Sequence, residues 1–253
     1  MKLIRECRMG PPKVWKTGAV VSTYPRPLLV IEGDEGGLDG IVEPVTWLTS
    51  QDFTGLVTPS PINAVAFKTA TSLLSTNYTP NPDVKSFDVF NSIGNAILKN
   101  CPWKTVVVDP ITAVSDVILS HFFVKNPGLM KDARKWAAPV GLKVKQIMEA
   151  FYTLPCHVVF IMHTTVNRVT NDEGQVVSST QEPVIYSKLR DFLGSVPSQF
   201  MYQDQKVVGG KATAYVQTTP DAKVRGIGCR WPVSLPSEIS PPTFTAIYGK
   251  DAQ

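Results

Sequence analysis

Paired cysteines are missing from this sequence, and with them two ways of holding a fold together. Cys7, Cys101, Cys156 and Cys229 form no Cys-x-x-Cys unit, and no histidine stands at ligand spacing from them. That spacing argues against a disulfide scaffold or a structural zinc site, so reduced, buried thiols are expected. No apolar leader is expected either. Met1-Lys-Leu-Ile-Arg-Glu-Cys-Arg8 carries charge where a secretory signal requires an apolar run. No stretch approaches the roughly 20 apolar residues of a membrane span, and 157–162 has the length of a strand. The expectation is a chain that stays in the cytoplasm where it is made, with no membrane partner. Internal repeats and low-complexity tracts are absent. Strong charge is absent as well: a net +4 permits contact with nucleic acid without arguing for it.

What is present is the composition of an ordinary globular protein. With 43% apolar and 18% charged residues over 253 positions, one sizeable α/β core is expected as a single domain over 1–253, β-rich from about residue 199. The spacing predicts a strand over 3–9, a helix over 16–23 closed by Pro25 and Pro27, and a buried parallel strand over 27–32. Short strands are expected at 45–48 and 55–57, a helix over 63–74, and a turn-rich loop over 77–82. Phe87, Phe90, Ile93, Ile97 and Leu98 recur at helical spacing within 86–100. Residues 103–109 read as the clearest central strand, followed by a helix from Pro110 towards Phe123. A further helix places Val140, Val144, Ile147, Met148 and Phe151 on one face. A buried strand over 157–163, a polar loop over 167–183 and a hairpin over 205–217, turned at Gly209-Gly210, complete the reading. Strands separated by helices, with a β-rich end, indicate a mostly parallel sheet flanked by helices and finished by an antiparallel hairpin.

The chemistry gathers at the ends of these strands. Gly10-Pro-Pro-Lys-Val-Trp-Lys-Thr17 has the spacing of a phosphate-binding loop, between a strand and a helix as such a loop requires. Backbone N–H groups of Gly10, Pro11, Pro12, Lys13, Val14 and Trp15 form the candidate cradle, proline excepted as a donor. Lys16 would neutralise phosphate charge, and the Thr17 hydroxyl would bind Mg²⁺. Trp15 stands where a glycine is normal. Either the loop is kept away from the phosphates, or the ring turns outward at a negative φ and leaves the N–H in place. Val106-Val-Val-Asp109 ends a strand in a carboxylate that can hold Mg²⁺ through water.

Glu32, Asp34 and Glu35 follow the second strand, before Gly36-Gly37, and any of them could polarise an attacking water. His163 ends another buried strand, where a polar group can sense a terminal phosphate or simply be a hydrogen-bonded strand-end histidine. Lys125, Lys131, Arg134, Lys135, Lys143 and Lys145 surround Trp136. A solvated helix face is the commoner explanation, and a track for a single strand that stacks a base on Trp136 is the other. Arg168 and Lys188 mark a second candidate surface.

The order of these landmarks resembles the RecA-like P-loop ATPases encoded by bacteriophages, in particular the RecA-core single-strand annealing and nucleotide-binding proteins of phage recombination modules. The resemblance is carried by Gly-Pro-Pro-x-x-x-Lys-Thr at 10–17, Pro-Leu-Leu-Val-Ile-Glu…Glu-Gly-Gly at 27–37, Thr-Val-Val-Val-Asp-Pro-Ile-Thr at 105–112 and the strand ending in His163. Tyr-Val-Gln-Thr-Thr-Pro-Asp at 215–221 is similar to that family's terminal strand and turn. The resemblance implies ATP and Mg²⁺ as cofactors, with Lys16 and Thr17 on the triphosphate and metal, and Asp109 as the second metal-side carboxylate. It implies Glu35 as the catalytic glutamate, His163 as the phosphate sensor and 164–183 as a DNA-facing loop. Arg225 and Arg230 would serve a neighbouring subunit's nucleotide. Single-stranded DNA and further copies of the chain, in a ring or filament, are the implied partners. Two other readings stand beside it. One is a non-catalytic assembly protein on the same scaffold. The other is a small-molecule kinase, disfavoured because no arginine-rich lid is present.

Overall fold

Strands that are apolar on both faces must be covered on both sides, and the central runs of this chain are. The computed structural model describes residues 3–34, 36–67, 85–129, 132–171, 173–184, 197–224, 227–229 and 235–250. Among them an eleven-stranded sheet is built from β1 (Arg5–Gly10), β2 (Leu28–Glu32), β3 (Thr46–Leu48), β4 (Ile62–Ala66), β5 (Thr105–Asp109) and β6 (His157–Thr170). It continues with β7 (Val176–Pro183), β8 (Gln199–Val208), β9 (Lys211–Gln217), β10 (Gly228–Cys229) and β11 (Glu238–Ile239). The helices are α1 (Lys16–Thr23), α2 (Ser86–Lys99), α3 (Ile111–Lys125), α4 (Ala133–Phe151) and α5 (Phe244–Tyr248).

The strand order is β11-β9-β8-β1-β6-β5-β2-β4-β3, with β10 on β8 and β7 on the far half of β6. β3 through β8 are parallel along this path except at the added pieces. β9, β10, β11 and β7 pair antiparallel. The expected α/β architecture is therefore present: a mostly parallel sheet, flanking helices and an antiparallel hairpin at 199–217.

Side-chain alternation divides the core in two. Leu29, Ile31, Val106, Val108, Val158, Phe160 and Met162 face one cluster, with residues of α2, α3 and α4. Leu28, Val30, Val107, Val159 and Ile161 face the other, with residues of α1 and α5. Val140, Val144, Ile147, Met148 and Phe151 are buried as the helical spacing predicted. Leu98 is the exception in α2, at 40% exposed: it lies one position past Ile97 and turns off the buried stripe.

Four expectations fail. Residues 62–66 form strand β4 beside β2, not the start of a helix, because the apolar run is short and buried against a parallel neighbour; the rest of that segment, and the loop at 77–82, lie outside the described residues. No strand forms at 55–57. The polar loop expected at 167–183 is instead the β6–β7 ribbon, paired from Thr164↔Pro183 to Thr170↔Val176. Its polar side chains suit a two-stranded piece with both faces exposed, which alternation alone does not reveal. Residues 215–221 are not terminal either, since β9 is followed by β11 and α5.

Candidate functional site

Parallel strands collect their C-terminal ends along one edge, and that edge is where ligands bind in open α/β sheets. Here it brings together Gly10 of β1, Glu32 of β2, Asp109 of β5 and His163 of β6, with Glu32 beside Asp109 and Gly10 beside His163 in register. A cavity of about 440 Å³ opens there, lined on the loop side by Pro12, Lys13, Trp15, Lys16, Thr17 and Gly18. Asp34, the glycines at 36, 37 and 40, Ile41, Asp109 and His163 line the rest. The volume falls within the roughly 300–1,000 Å³ of small-molecule sites.

Lys16 is almost fully buried at the start of α1, and its ammonium donates to the carbonyls of Gly10 (3.0 Å) and Pro11 (2.5 Å). Burial lowers its pKa to about 8, against the raising influence of Asp109, Asp204 and Asp34. Thr17 Oγ1 donates to Asp109 Oδ2. Burial also raises the Asp109 pKa, opposed by the Thr17 hydrogen bond and by Lys16. Thr17 and Asp109 are thus in contact, 92 positions apart.

Lys13 and Trp15 both take a left-handed backbone, φ 64° and 63°. Of the two alternatives for Trp15, the one that needs a negative φ does not hold: the bend keeps the conformation that glycine favours, and the tryptophan carries its cost of about 1–2 kcal/mol. The ring stands at the cavity wall, with the residue 43% exposed. It lies on Gly18, whose missing side chain makes the room: a Cβ there would sit 2.0 Å from the indole Nε1.

The acidic segment resolves into different roles. Asp34 Oδ2 lies 2.9 Å from His163 Nε2, so the carboxylate and the imidazole form one unit at the cavity wall. Glu32 is buried, accepts the backbone N–H groups of Gly37 and Leu38, and keeps Oε1 without a hydrogen-bond partner among the described residues. Burial raises its pKa to about 7. His163 Nδ1 is likewise buried and unpaired there. Glu35 lies outside the described residues, as do Lys131, Lys188, Arg225 and Arg230.

Sequence reasoning missed the foundation of the loop. Glu6 and Arg8 point from β1 into the α1 side of the core, fully buried. Arg8 Nε donates to Glu6 Oε1 (2.6 Å), and its other nitrogens reach Tyr24 OH (2.8 Å) and the Gln203 side-chain oxygen (3.2 Å). Tyr24 OH and Tyr248 OH both donate to Glu6 Oε2. Gln203 Nε2 then donates to the Val14 carbonyl inside the phosphate loop (2.9 Å). A Cβ on Gly10 would meet the Gln203 carbonyl oxygen at 2.1 Å, so glycine is needed at the loop's entry. The signal was legible as charge in a strand: Glu6 and Arg8 alternate with apolar Cys7 and Met9, which in a strand covered on both faces demands buried partners.

The basic segment around Trp136 separates. Trp136 packs edge-on against Phe123 with centroids 5.5 Å apart, partly buried beside the core. Lys145 pairs with Glu149 at 3.6 Å along α4.

The residues present suit a Mg²⁺-bound triphosphate. The left-handed bend, the buried ammonium and the Thr17–Asp109 contact form a cradle with one hydroxyl and one carboxylate for a metal whose other ligands are waters and phosphate oxygens. Among the described residues no group of three or more His, Cys, Asp or Glu could hold an ion by itself. Among them, too, no helix is long and apolar enough to cross a membrane.

No curated protein matches this chain. Among solved structures, it is similar to a KaiC-like protein from the hyperthermophilic archaeon Pyrococcus horikoshii OT3, at 12% identity and a TM-score of 0.41, over 85% of this chain and 77% of that one. Residues 7–223 match the model of a family described as AAA domain. That span holds the loop, Asp109, His163 and both ribbons, and the chain belongs to this family of AAA-type P-loop ATPase domains.

Proposed function

We propose that this protein binds Mg-ATP in the cavity at the β1–α1 loop, hydrolyses it, and uses the cycle to act on single-stranded DNA as an oligomer, in recombination or replication of a phage-type system. The observation that carries the nucleotide reading is the joint placement of a buried Lys16 and a Thr17–Asp109 contact around one open cavity. When bound, Mg²⁺ neutralises charge on the phosphates. Lys16 exchanges two carbonyl acceptors for phosphate oxygens, which are stronger partners for an ammonium. Thr17 and Asp109 orient the metal side. Glu35, immediately before Gly36-Gly37, orients water, and the Asp34–His163 unit senses the terminal phosphate. Catalysis here is positioning and charge neutralisation.

The DNA reading is supported by topology. His163 stands where β6 leaves the parallel sheet and pairs with β7, so a change at the cavity wall has a direct covalent route to the ribbon that carries Arg168. A second reading, a nucleotide-free assembly scaffold, is favoured by the strain of Trp15 in a loop that normally uses glycine.

Titration calorimetry separates them. Wild type is expected to bind Mg-ATP, and Lys16→Ala to lose at least roughly tenfold in affinity, since a hydrogen bond to a charged group contributes about 1.5–3 kcal/mol. No heat with wild type leaves the scaffold reading. ATP-dependent retention of labelled single-stranded DNA on a filter tests the partner, and retention that ignores both ATP and Lys16→Ala removes the coupling.

A further inference from the structure

We propose that the Trp15 indole is the platform on which the base of a purine nucleoside triphosphate stacks, so that the residue replacing the loop's glycine supplies affinity for the nucleoside. The inference rests on the triphosphate reading of the cavity and deepens it.

Four observations carry it. The φ of 63° at Trp15 fixes where the side chain leaves the loop. The indole then lies on Gly18 through its five-membered ring: Nε1, Cδ1 and Cε2 stand 2.0, 2.3 and 2.7 Å from where a Cβ would be. Gly18 is in the first turn of α1, directly after Lys16 and Thr17, so the ring roofs the helix end from which the phosphate chain must run on towards its nucleoside. Finally, Trp15 is 43% exposed and lines the same cavity as Lys16, Thr17 and Asp109.

The lining of that cavity divides by chemistry. Lys16, Thr17, Asp34, Asp109 and His163 are suited to phosphate and metal, whereas Trp15 and Ile41 are the large apolar side chains available to a base. An aromatic face left partly open in a polar site is what a π-stacked ring needs, and stacking is indifferent to the hydrogen-bonding edge of the base. ATP and GTP should therefore bind alike. The strain in the loop is then offset when ligand covers the ring, which gives a reason for tryptophan where glycine costs less.

The test compares Mg-ATP with Mg-tripolyphosphate, which offers the same phosphates without a base, on the full chain. Wild type is expected to prefer ATP by about tenfold, since a stacked base contributes roughly 1–3 kcal/mol. Trp15→Gly relieves the backbone strain, so it should fold at least as well, and its preference should fall towards one. Trp15→Phe should keep part of it. ATP, but not tripolyphosphate, should quench the part of tryptophan emission that Trp15→Phe removes. An undiminished preference in Trp15→Gly overturns the stacking role while leaving the triphosphate site intact. A wild type that binds neither ligand fails the site itself, and the inference with it. Equal binding of both ligands by wild type refutes the inference alone.

Discussion

The phosphate loop and the two β-ribbons leave the same edge of the sheet and are built on opposite terms. The loop carries two left-handed non-glycine residues, yet it rests on a fully buried group of Glu6, Arg8, Tyr24, Tyr248 and Gln203. The outer parts of the ribbons β6–β7 and β8–β9 pair only within each ribbon, and Val166, Val169, Val176, Val177, Val207 and Val208 stay exposed on them, Val207 at 75%. Strain persists only where the surroundings over-determine it, so the rigid foundation is what makes an unfavourable bend possible. The outer parts of the ribbons have no such buried base beneath them. In this chain binding precision and surface adaptability lie side by side along one sheet edge.

The sharpest way to break that contrast is Glu6→Ala. It leaves the Arg8 guanidinium buried without its carboxylate, and a loss of about 3–5 kcal/mol is expected in urea denaturation. Gly10→Ala comes next: its Cβ collides with a backbone carbonyl, and a loss of about 1–3 kcal/mol is expected, together with loss of Mg-ATP binding by calorimetry.

The pH dependence has two windows of opposite sign. Between about 4.5 and about 7 the folded chain keeps a proton on Glu32 that the unfolded chain has released, so stability falls as pH rises. Between about 8 and 10.5 the unfolded chain keeps a proton on Lys16 that the folded chain has released, so stability rises with pH. Nucleotide affinity should fall over that second window as the ammonium is lost. Denaturation at stepped pH, with Glu32→Gln flattening the first window and Lys16→Met the second, checks both signs. Smallest of all, Val177→Thr and Val207→Thr should move stability by under about 0.5 kcal/mol. If either ribbon variant matched Glu6→Ala in thermal melts, the contrast between rigid base and open ribbons would be lost.

Much of this was legible in the sequence because it is local. The loop, α1, β2, β5 and the hairpin at Gly209-Gly210 each carry their own periodicity and turn chemistry, and the helix over Lys16–Thr23 has the expected bounds. The Thr17–Asp109 contact followed from two strand-end motifs meeting at one sheet edge. β4 was misread because a five-residue buried run looks the same in a helix or a strand. The β6–β7 ribbon was misread because both of its faces meet solvent. The Trp15–Gly18 fit and the Glu6–Arg8 foundation depend on who meets whom in three dimensions. Spacing shows that a buried charge needs a partner; it does not say that Tyr248 provides one.

That last contact has a consequence for how the protein is made. Glu6 leaves the ribosome 242 positions ahead of the tyrosine that completes its hydrogen bonds. The buried group under the phosphate loop is thus complete only once residue 248 has been added, and nascent chains halted before residue 244 should be cut by protease within the loop, while chains that extend past α5 resist. Until α5 is added, the carboxylate of Glu6 lacks the hydroxyl that Tyr248 supplies.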